Sequence, residues 1–227
     1  TAYEIKECDW SSDVCSSDLN KIVHGYLKGE KSYIFYAFKN ASEKHHYSIE
    51  QFDQRIKEHI KLLAPSKTPT SLVYFSESDN KTKMGNINDE WHKVDYVLTT
   101  SSITVGVNYD RKDYDNIFIL CSGSCNNVRD VIQSSMRVRY PKNDVMHMYF
   151  FDLKQKYILN YPIYYKYSSS IYKNLVNNIY RELQSSFIEC LYTFCNKTNY
   201  IINKKEIQQQ AKKKHVKFIK DRKSTRL

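Results

Sequence analysis

The chain has 227 residues, and Lys and Arg outnumber Asp and Glu by 35 to 25, which gives a net charge of +10 and a pI near 9.1. A hydrophobic content of 41% and an aromatic content of 14% exclude a compositionally disordered chain, and no apolar run is long enough for a membrane-spanning helix. The excess of basic over acidic residues favours a polyanionic partner, of which nucleic acid is the first candidate. An inert basic surface is the alternative, and the composition bias of an AT-rich genome would also contribute to the excess.

The two ends of the chain differ from the rest. Asp9–Leu19 reads DWSSDVCSSDL and Asp221–Leu227 reads DRKSTRL, and both resemble translated sequencing-adapter sequence. A flexible Ser/Asp-rich terminus is the alternative. We therefore leave residues 1–20 and 221–227 out of the predicted fold and expect the reading frame to be interrupted at both ends. No basic-then-apolar leader opens the chain, so we expect an intracellular protein.

Between residues 21 and 153, short apolar runs alternate with amphipathic helices. In Ile49–Leu63 apolar residues recur at spacings of three and four until Pro65, and Asn126–Met136 is a second predicted helix. Strands buried on both faces and joined by helices imply an α/β domain with a mainly parallel sheet and helices on both faces. The predicted strands are Ser32–Phe38, Ser71–Ser76, Val94–Thr99, Ile117–Cys121 and Val145–Phe151.

Beyond Asp152 the pattern becomes helical. Apolar residues step by four from Ile171 to Leu191, and the basic segment Lys204–Lys220 predicts a second helix. We therefore expect residues 154–220 to form a small helical extension. Its lysines would either track a phosphate backbone or form a solvated face.

Thr100-Ser-Ser-Ile-Thr-Val-Gly106-Val-Asn108 follows the third predicted strand. This segment resembles motif V of superfamily 2 helicases. In that motif a Thr follows the strand, a Gly stands six residues later, and an acidic or amide residue stands two residues after the Gly; Thr100, Gly106 and Asn108 match these positions. Hydroxyls and backbone N–H groups at a strand-to-helix turn can hold a phosphate. An ordinary Ser/Thr turn that caps a helix is the alternative.

Gln133-Ser-Ser-Met-Arg137-Val-Arg139 follows one strand later and resembles motif VI. Arg129, Gln133 and Arg137 are four apart and share one helical stripe, and we expect the adjacent stripe, which ends at Met136, to pack on the sheet. Pro141 places Arg139 at the helix exit. A solvated basic face is the alternative. The usual motif differs in having a Gly at the position of Met136 and a second arginine that follows the first by three residues, not two.

The stretch Asn86–Trp91 and the phrase Asp130–Arg139 narrow the resemblance. Together they are similar to the origin-binding-protein helicases of herpesviruses and giant DNA viruses, over about residues 33–151. The resemblance implies a second, C-terminal RecA-like domain at residues 21–153, and ATP-driven separation of DNA strands at a viral replication origin, in the host nucleus or a cytoplasmic viral factory.

The resemblance also implies the roles of individual residues. Arg137 and Arg139 would be arginine fingers, which with Gln133 form the catalytic set, and Gly106 and Asn108 would join both arginines in contacting ATP. Nucleic-acid contacts are assigned to Thr100, Ser101, Ser102, Lys39 and Asn40, the last two of which equally suit a solvated turn.

The cofactors implied are ATP and Mg²⁺, bound mainly by an N-terminal RecA-like half that would carry a G-x-x-x-x-G-K-[ST] loop and an acidic motif. This chain contains neither motif, so we expect it to be inactive alone. The cysteine spacings and the polar pair His45-His46 do not indicate a metal site. A non-enzymatic basic module that binds nucleic acid is the second hypothesis.

Overall fold

The computed structural model describes residues 15–41, 47–76, 85–103, 107–122, 128–143, 145–152, 200–202 and 215–220. Its helices are α1 (Cys15–Leu27), α2 (Ile49–Leu63), α3 (Ile87–His92) and α4 (Val128–Ser135). Its strands are β1 (Ser32–Tyr36), β2 (Ser71–Tyr74), β3 (Tyr96–Thr99), β4 (Asn116–Ser122), β5 (Val145–Asp152), β6 (Tyr200–Ile202) and β7 (His215–Lys220).

The strands form one sheet in the order β2-β3-β1-β4-β5-β7-β6. The pairs β2 with β3, β3 with β1, β1 with β4 and β4 with β5 are parallel, whereas β7 is antiparallel to both β5 and β6. Consecutive parallel strands need a crossover connection: α2 joins β1 to β2, α3 joins β2 to β3, and α4 joins β4 to β5. The predicted α/β class with a mainly parallel sheet is confirmed.

Each face of the sheet is covered by two helices. Ile34, Leu98 and Leu120 point to the face on which α1 and α2 pack, because alternate residues of a strand point to opposite faces. Tyr33 and Val97 point to the other face, on which α3 and α4 pack. Burial on both faces explains the continuous apolar runs of the strands, and it confirms the layered architecture expected from the RecA-like resemblance.

Helix α2 has the predicted bounds because its sequence specifies both ends. The Ser48 hydroxyl accepts from the Gln51 backbone N–H at 3.2 Å, and the Gln51 side chain accepts from the Ser48 N–H at 3.0 Å, which forms a capping box. Phe52 stacks on Tyr36 with ring centroids 4.6 Å apart, so α2 is held against β1. The helix ends at Leu63, two residues before Pro65.

Other elements differ from the prediction. Strand β1 ends at Tyr36 rather than Phe38, and β3 begins at Tyr96 rather than Val94. Helix α1 is absent from the predicted elements, and its first residues, 15–20, belong to the segment assigned to an artefact or disordered terminus. Leu19 is buried at the α1 and α2 face together with Ile22 and Val23, because an apolar helix face there covers the edge of the core.

The predicted helical extension is wrong where the structure describes it. Residues 215–220 form strand β7, not the end of a basic helix, and Tyr200–Ile202 forms β6. In HVKFIK, basic and apolar residues alternate over the first four positions. The edge of β5 offers hydrogen-bond partners to this strand, and Met148 lies opposite Val216. The predicted helix at 171–191 and residues 204–214 lie outside the described residues, as do Thr1–Val14 and 221–227.

Within the described part of the chain, no helix combines the length and apolar character needed to cross a membrane.

Candidate functional site

The residues selected from the sequence lie at opposite edges of the parallel sheet. Asn108, Gln133, Arg137 and Arg139 line one cavity of about 420 Å³. Ile117 near the start of β4 and Val145 and Met146 at the start of β5 also line it, so the cavity is at the amino edge of the strands. The remaining lining residues are Ser135, Met136, Val138, Tyr140 and Pro141.

Backbone pairing brings the segments that resemble motifs V and VI together. The Tyr109 N–H donates to the Arg137 carbonyl at 2.7 Å, and the Arg139 N–H donates to the Tyr109 carbonyl at 3.0 Å. Tyr109 and Val138 thus form a parallel bridge between segments almost thirty residues apart. The bridge places Asn108 beside the turn that carries both arginines.

The two arginines have different environments. Arg137 is half-buried, and its Nη1 donates to the Val107 carbonyl at 2.9 Å. Arg139 is 50% exposed, with its Nε 3.4 Å from the Asp110 carboxylate. Arg137 is therefore turned toward the domain, whereas Arg139 lies at the mouth of the cavity.

The charge of Arg137 also acts inside the domain. Burial raises the pKa of Tyr33 to about 12, against the lowering effects of its hydrogen bond with Thr99 and of the Arg137 charge.

Helix α4 ends at Ser135, one residue earlier than predicted. It buries Val128, Val131 and Ile132, whereas Met136 lies in the turn after the helix, is 42% exposed and lines the cavity. The expectation that Met136 packs on the sheet is wrong, because the helix ends at Ser135. Gln133 is half-buried and reaches the cavity, while the exposed Arg129 is not among its lining residues.

The residues expected to contact nucleic acid lie at the carboxyl edge. Thr100–Ser102 follow β3, and Lys39 and Asn40 follow β1, its direct neighbour in the sheet. Asn40, Ser101 and Ser102 are exposed, and Lys39 is half-buried. This edge therefore presents hydroxyl, amide and ammonium donors, which suit the phosphates of a nucleic-acid backbone.

Thr100 is turned inward from that edge. It is 5% exposed, and its Oγ1 lies 3.0 Å from the Ser102 hydroxyl and accepts from the Ser102 N–H at 3.4 Å. The Ile103 N–H donates to the Thr100 carbonyl, which closes a turn. No helix follows this turn in residues 100–103 or 107–115, so the expected strand-to-helix turn is not observed there, and Gly106 lies outside the described residues.

Sequence reasoning missed an aromatic stack behind the cavity. The Trp91 ring lies between Tyr33 and Tyr109, with centroid distances of 5.6 and 5.7 Å. The Tyr109 hydroxyl donates to Asp113 at 2.5 Å. An aromatic residue directly after Asn108 in a polar stretch was the available signal for Tyr109.

Asp113 also binds His92 Nδ1 at 2.7 Å and Lys31 Nζ at 3.4 Å. Burial alone would raise the pKa of Asp113, but the hydrogen bonds from Tyr109 and His92 and the nearby Lys31 ammonium outweigh it and hold the pKa below its ordinary value. Asp113 is therefore a charged carboxylate that joins the last residue of α3, the residue before β1 and the segment before β4.

The donor set at the cavity fits a polyphosphate. Two guanidiniums and two carboxamides converge there, and a guanidinium presents five donors in a planar fork that matches phosphate oxygens. Asp110 provides an opposing carboxylate beside Arg139. Among the described residues, no three His, Cys, Asp or Glu side chains cluster as metal ligands would.

Comparison with known proteins gives a viral relative. No protein-family profile matches the chain. Over 133 residues, or 57% of its length, it is 26% identical to a protein of Ostreid herpesvirus 1 (isolate France) named "Putative primase". The chain spans about a tenth of that relative, since the match covers 10% of it.

Solved structures show partial similarity. The Mycobacterium smegmatis helicase Lhr bound to ssDNA and AMP-PNP matches 63% of this chain and 18% of its own, at 15% identity and a TM-score of 0.42. The C-terminal part of the Fun30 ATPase domain matches 73% and 52%, at 16% identity and a TM-score of 0.39. T4 UvsW matches 72% and 31%, at 13% identity and a TM-score of 0.33.

Proposed function

We propose that this chain is the second, C-terminal RecA-like half of a superfamily 2 helicase, which uses ATP to move along nucleic acid. The observation that carries the proposal is the amino-edge cavity, where Asn108 from the motif V segment meets Gln133, Arg137 and Arg139 from the motif VI segment. Residues chosen from two separate sequence motifs would not be expected to meet at one cavity by chance.

In this function the amino-edge cavity faces a nucleotide held by a first RecA-like half. Bound ATP, with Mg²⁺, would supply the phosphoryl transfer that drives movement. Arg139, which is half-exposed beside the cavity, would stabilise the negative charge that develops on the terminal phosphate. Arg137, tied to the Val107 carbonyl, orients the turn and adds positive charge, and Gln133 and Asn108 donate or accept hydrogen bonds at the cavity wall.

Nucleic acid crosses the opposite edge of the sheet in this proposal. Ser101, Ser102, Lys39 and Asn40 contact backbone phosphates, while the buried Thr100 shapes the turn that presents the two serines. Because the two sites lie at opposite edges of the same sheet, nucleotide-dependent motion of this domain shifts its contacts along the nucleic-acid strand.

The viral relative supports a setting in DNA replication. Its name refers to primer synthesis, and the matched region is a tenth of its length. We therefore propose that the full-length protein is a viral replication protein that acts on DNA, at an origin and in the host nucleus or a viral factory. The origin-specific role rests on the sequence resemblance of Asn86–Trp91 and Asp130–Arg139 alone.

The test is an ATPase assay on the full-length protein with saturating single-stranded DNA. Arg139→Ala should lower turnover by roughly 10³-fold or more, because arginine fingers of this type contribute about 10³ to 10⁵. Arg139→Lys should rescue poorly, because an ammonium cannot reproduce the planar fork. Binding of single-stranded DNA should be largely retained.

Arg129→Ala is the matched control, since Arg129 is an exposed arginine on α4, six residues before its end and roughly 9 Å away along the helix axis. If Arg139→Ala and Arg129→Ala both keep near-parental turnover, Arg139 is surface charge and the helicase proposal is wrong. A full-length protein that binds nucleic acid but lacks a Walker-type loop and ATPase activity would instead support the basic binding module.

A further inference from the structure

Tyr109 is placed where it can control the geometry of both arginines. Its N–H and its carbonyl are hydrogen-bonded to Arg137 and Arg139 respectively, on either side of Val138. The Tyr109 side chain is fully buried. The turn from Arg137 to Arg139, which sets the separation of the two guanidinium groups, is therefore anchored by a core residue.

The side chain of Tyr109 is held by two aromatic rings and one carboxylate. Its ring stacks on Trp91 at an interplanar angle of 24° and meets Tyr114 edge-on with centroids 5.1 Å apart. Its hydroxyl donates to Asp113, which is itself fixed by His92 and Lys31. Rotation or sliding of the ring would break the hydrogen bond or both aromatic contacts.

We propose that Tyr109, anchored through its hydroxyl by Asp113, is a positioning residue that fixes the two cavity arginines at the spacing needed to bind a polyphosphate. This inference rests on the proposed nucleotide-binding role of Arg137 and Arg139. The second of these arginines follows the first by two residues instead of the usual three, so the guanidiniums depend on the bridge at Val138 for their relative placement.

The physical reason is preorganisation. A turn that must order its arginines during binding loses affinity to the entropy of that ordering, whereas a turn held by a buried anchor does not. Tyr109→Phe removes the hydroxyl and leaves the ring, its packing and the backbone bridge, so it isolates the contribution of the anchor.

The experiment uses the 227-residue chain and inorganic tripolyphosphate as the probe. Side-chain Nε–H NMR signals of Arg137 and Arg139, assigned with single Lys variants, report the order of each guanidinium, and calorimetry gives the affinity. Tyr109→Phe should broaden or shift both arginine signals and weaken binding by about fivefold or more, which corresponds to about 1 kcal/mol.

Tyr96→Phe is the matched control. The Tyr96 hydroxyl also donates to a carboxylate, that of Asp53 at 2.6 Å, but on the sheet face covered by α1 and α2. It should reduce stability without changing the arginine signals or the affinity. Asp113→Asn, which keeps an oxygen able to accept from Tyr109, should give an intermediate effect.

The outcomes separate the two proposals. If Tyr109→Phe leaves the arginine signals unchanged, or changes them no more than Tyr96→Phe does, Tyr109 is only a core residue and the inference is overturned. If the wild-type chain does not bind tripolyphosphate, the polyphosphate part of this inference is overturned, and the arginine signals still decide whether Tyr109 positions the turn. The proposed helicase function, in which the first half binds most of the ATP, stands or falls separately on the ATPase assay of Arg139→Ala. Should Tyr109→Phe not fold, the arginine signals of Asp113→Asn decide the question by the same comparison with Tyr96→Phe.

Discussion

Replacing Arg137 with Ala should destabilise the domain more than replacing Arg139 with Ala. Both residues follow α4 and flank Val138, but their side chains are in different places. Arg137 is half-buried and donates to the Val107 carbonyl at 2.9 Å, while Arg139 is 50% exposed and faces an Asp110 side chain that is 49% exposed. The contrast predicts a difference in stability that the sequence motif alone does not.

The size of the difference follows from these environments. A hydrogen bond from a charged donor contributes about 1.5–3 kcal/mol, so Arg137→Ala should cost about 2 kcal/mol. An exposed ion pair contributes about 0–1 kcal/mol because water and salt screen it, so Arg139→Ala should cost less than about 1 kcal/mol. In a domain of this size Arg137→Ala should lower the melting temperature by about 4–8 °C.

Urea and thermal unfolding of the 227-residue chain, followed by circular dichroism, measure both variants beside Arg129→Ala. Arg129→Ala should be close to wild type, since its side chain is exposed. Equal losses for Arg137→Ala and Arg139→Ala would refute the distinction. If the distinction holds, lost ATPase activity in an Arg137 variant reports partly on folding, and Arg139 is the cleaner test of catalysis.

Two further predictions concern charge. The hydrogen bonds to Asp113 lower the pKa of its carboxyl group in the folded protein. The ionised carboxylate therefore stabilises the fold above about pH 4, the pKa of the unfolded state, and this stabilisation is lost as the pH falls through the lower folded pKa. Unfolding measured as a function of acid pH should show a smaller pH dependence for Asp113→Asn than for the wild type. The chain should bind single-stranded DNA weakly and without sequence preference. Lys39→Ala should reduce the slope of log binding constant against log salt concentration by about 0.7. An affinity, measured by fluorescence anisotropy, that hardly changes between low and physiological salt would contradict this prediction.

Much of the fold could be predicted because its signals are local. The apolar spacing, the Ser48 cap and Pro65 determine α2 almost to the residue, and continuous apolar runs mark the five parallel strands. The motif resemblance also selected residues that lie together in the structure: Asn108, Arg137 and Arg139 line one cavity, and Thr100 lies at the carboxyl edge of the sheet. Their roles are proposals.

Only the tertiary structure decided which of two locally plausible states each remaining segment adopts. Residues 215–220 are basic enough for a solvated helix, but pairing with β5 makes them a strand. Tyr109 has no motif to distinguish it, yet its bridge to Val138 joins segments almost thirty residues apart. Such contacts depend on how distant elements pack, and the short-range spacing of residues contains no information about that packing. For the same reason, the sequence could pair Arg137 with Arg139 but could not show that Arg137 faces the domain and Arg139 the solvent.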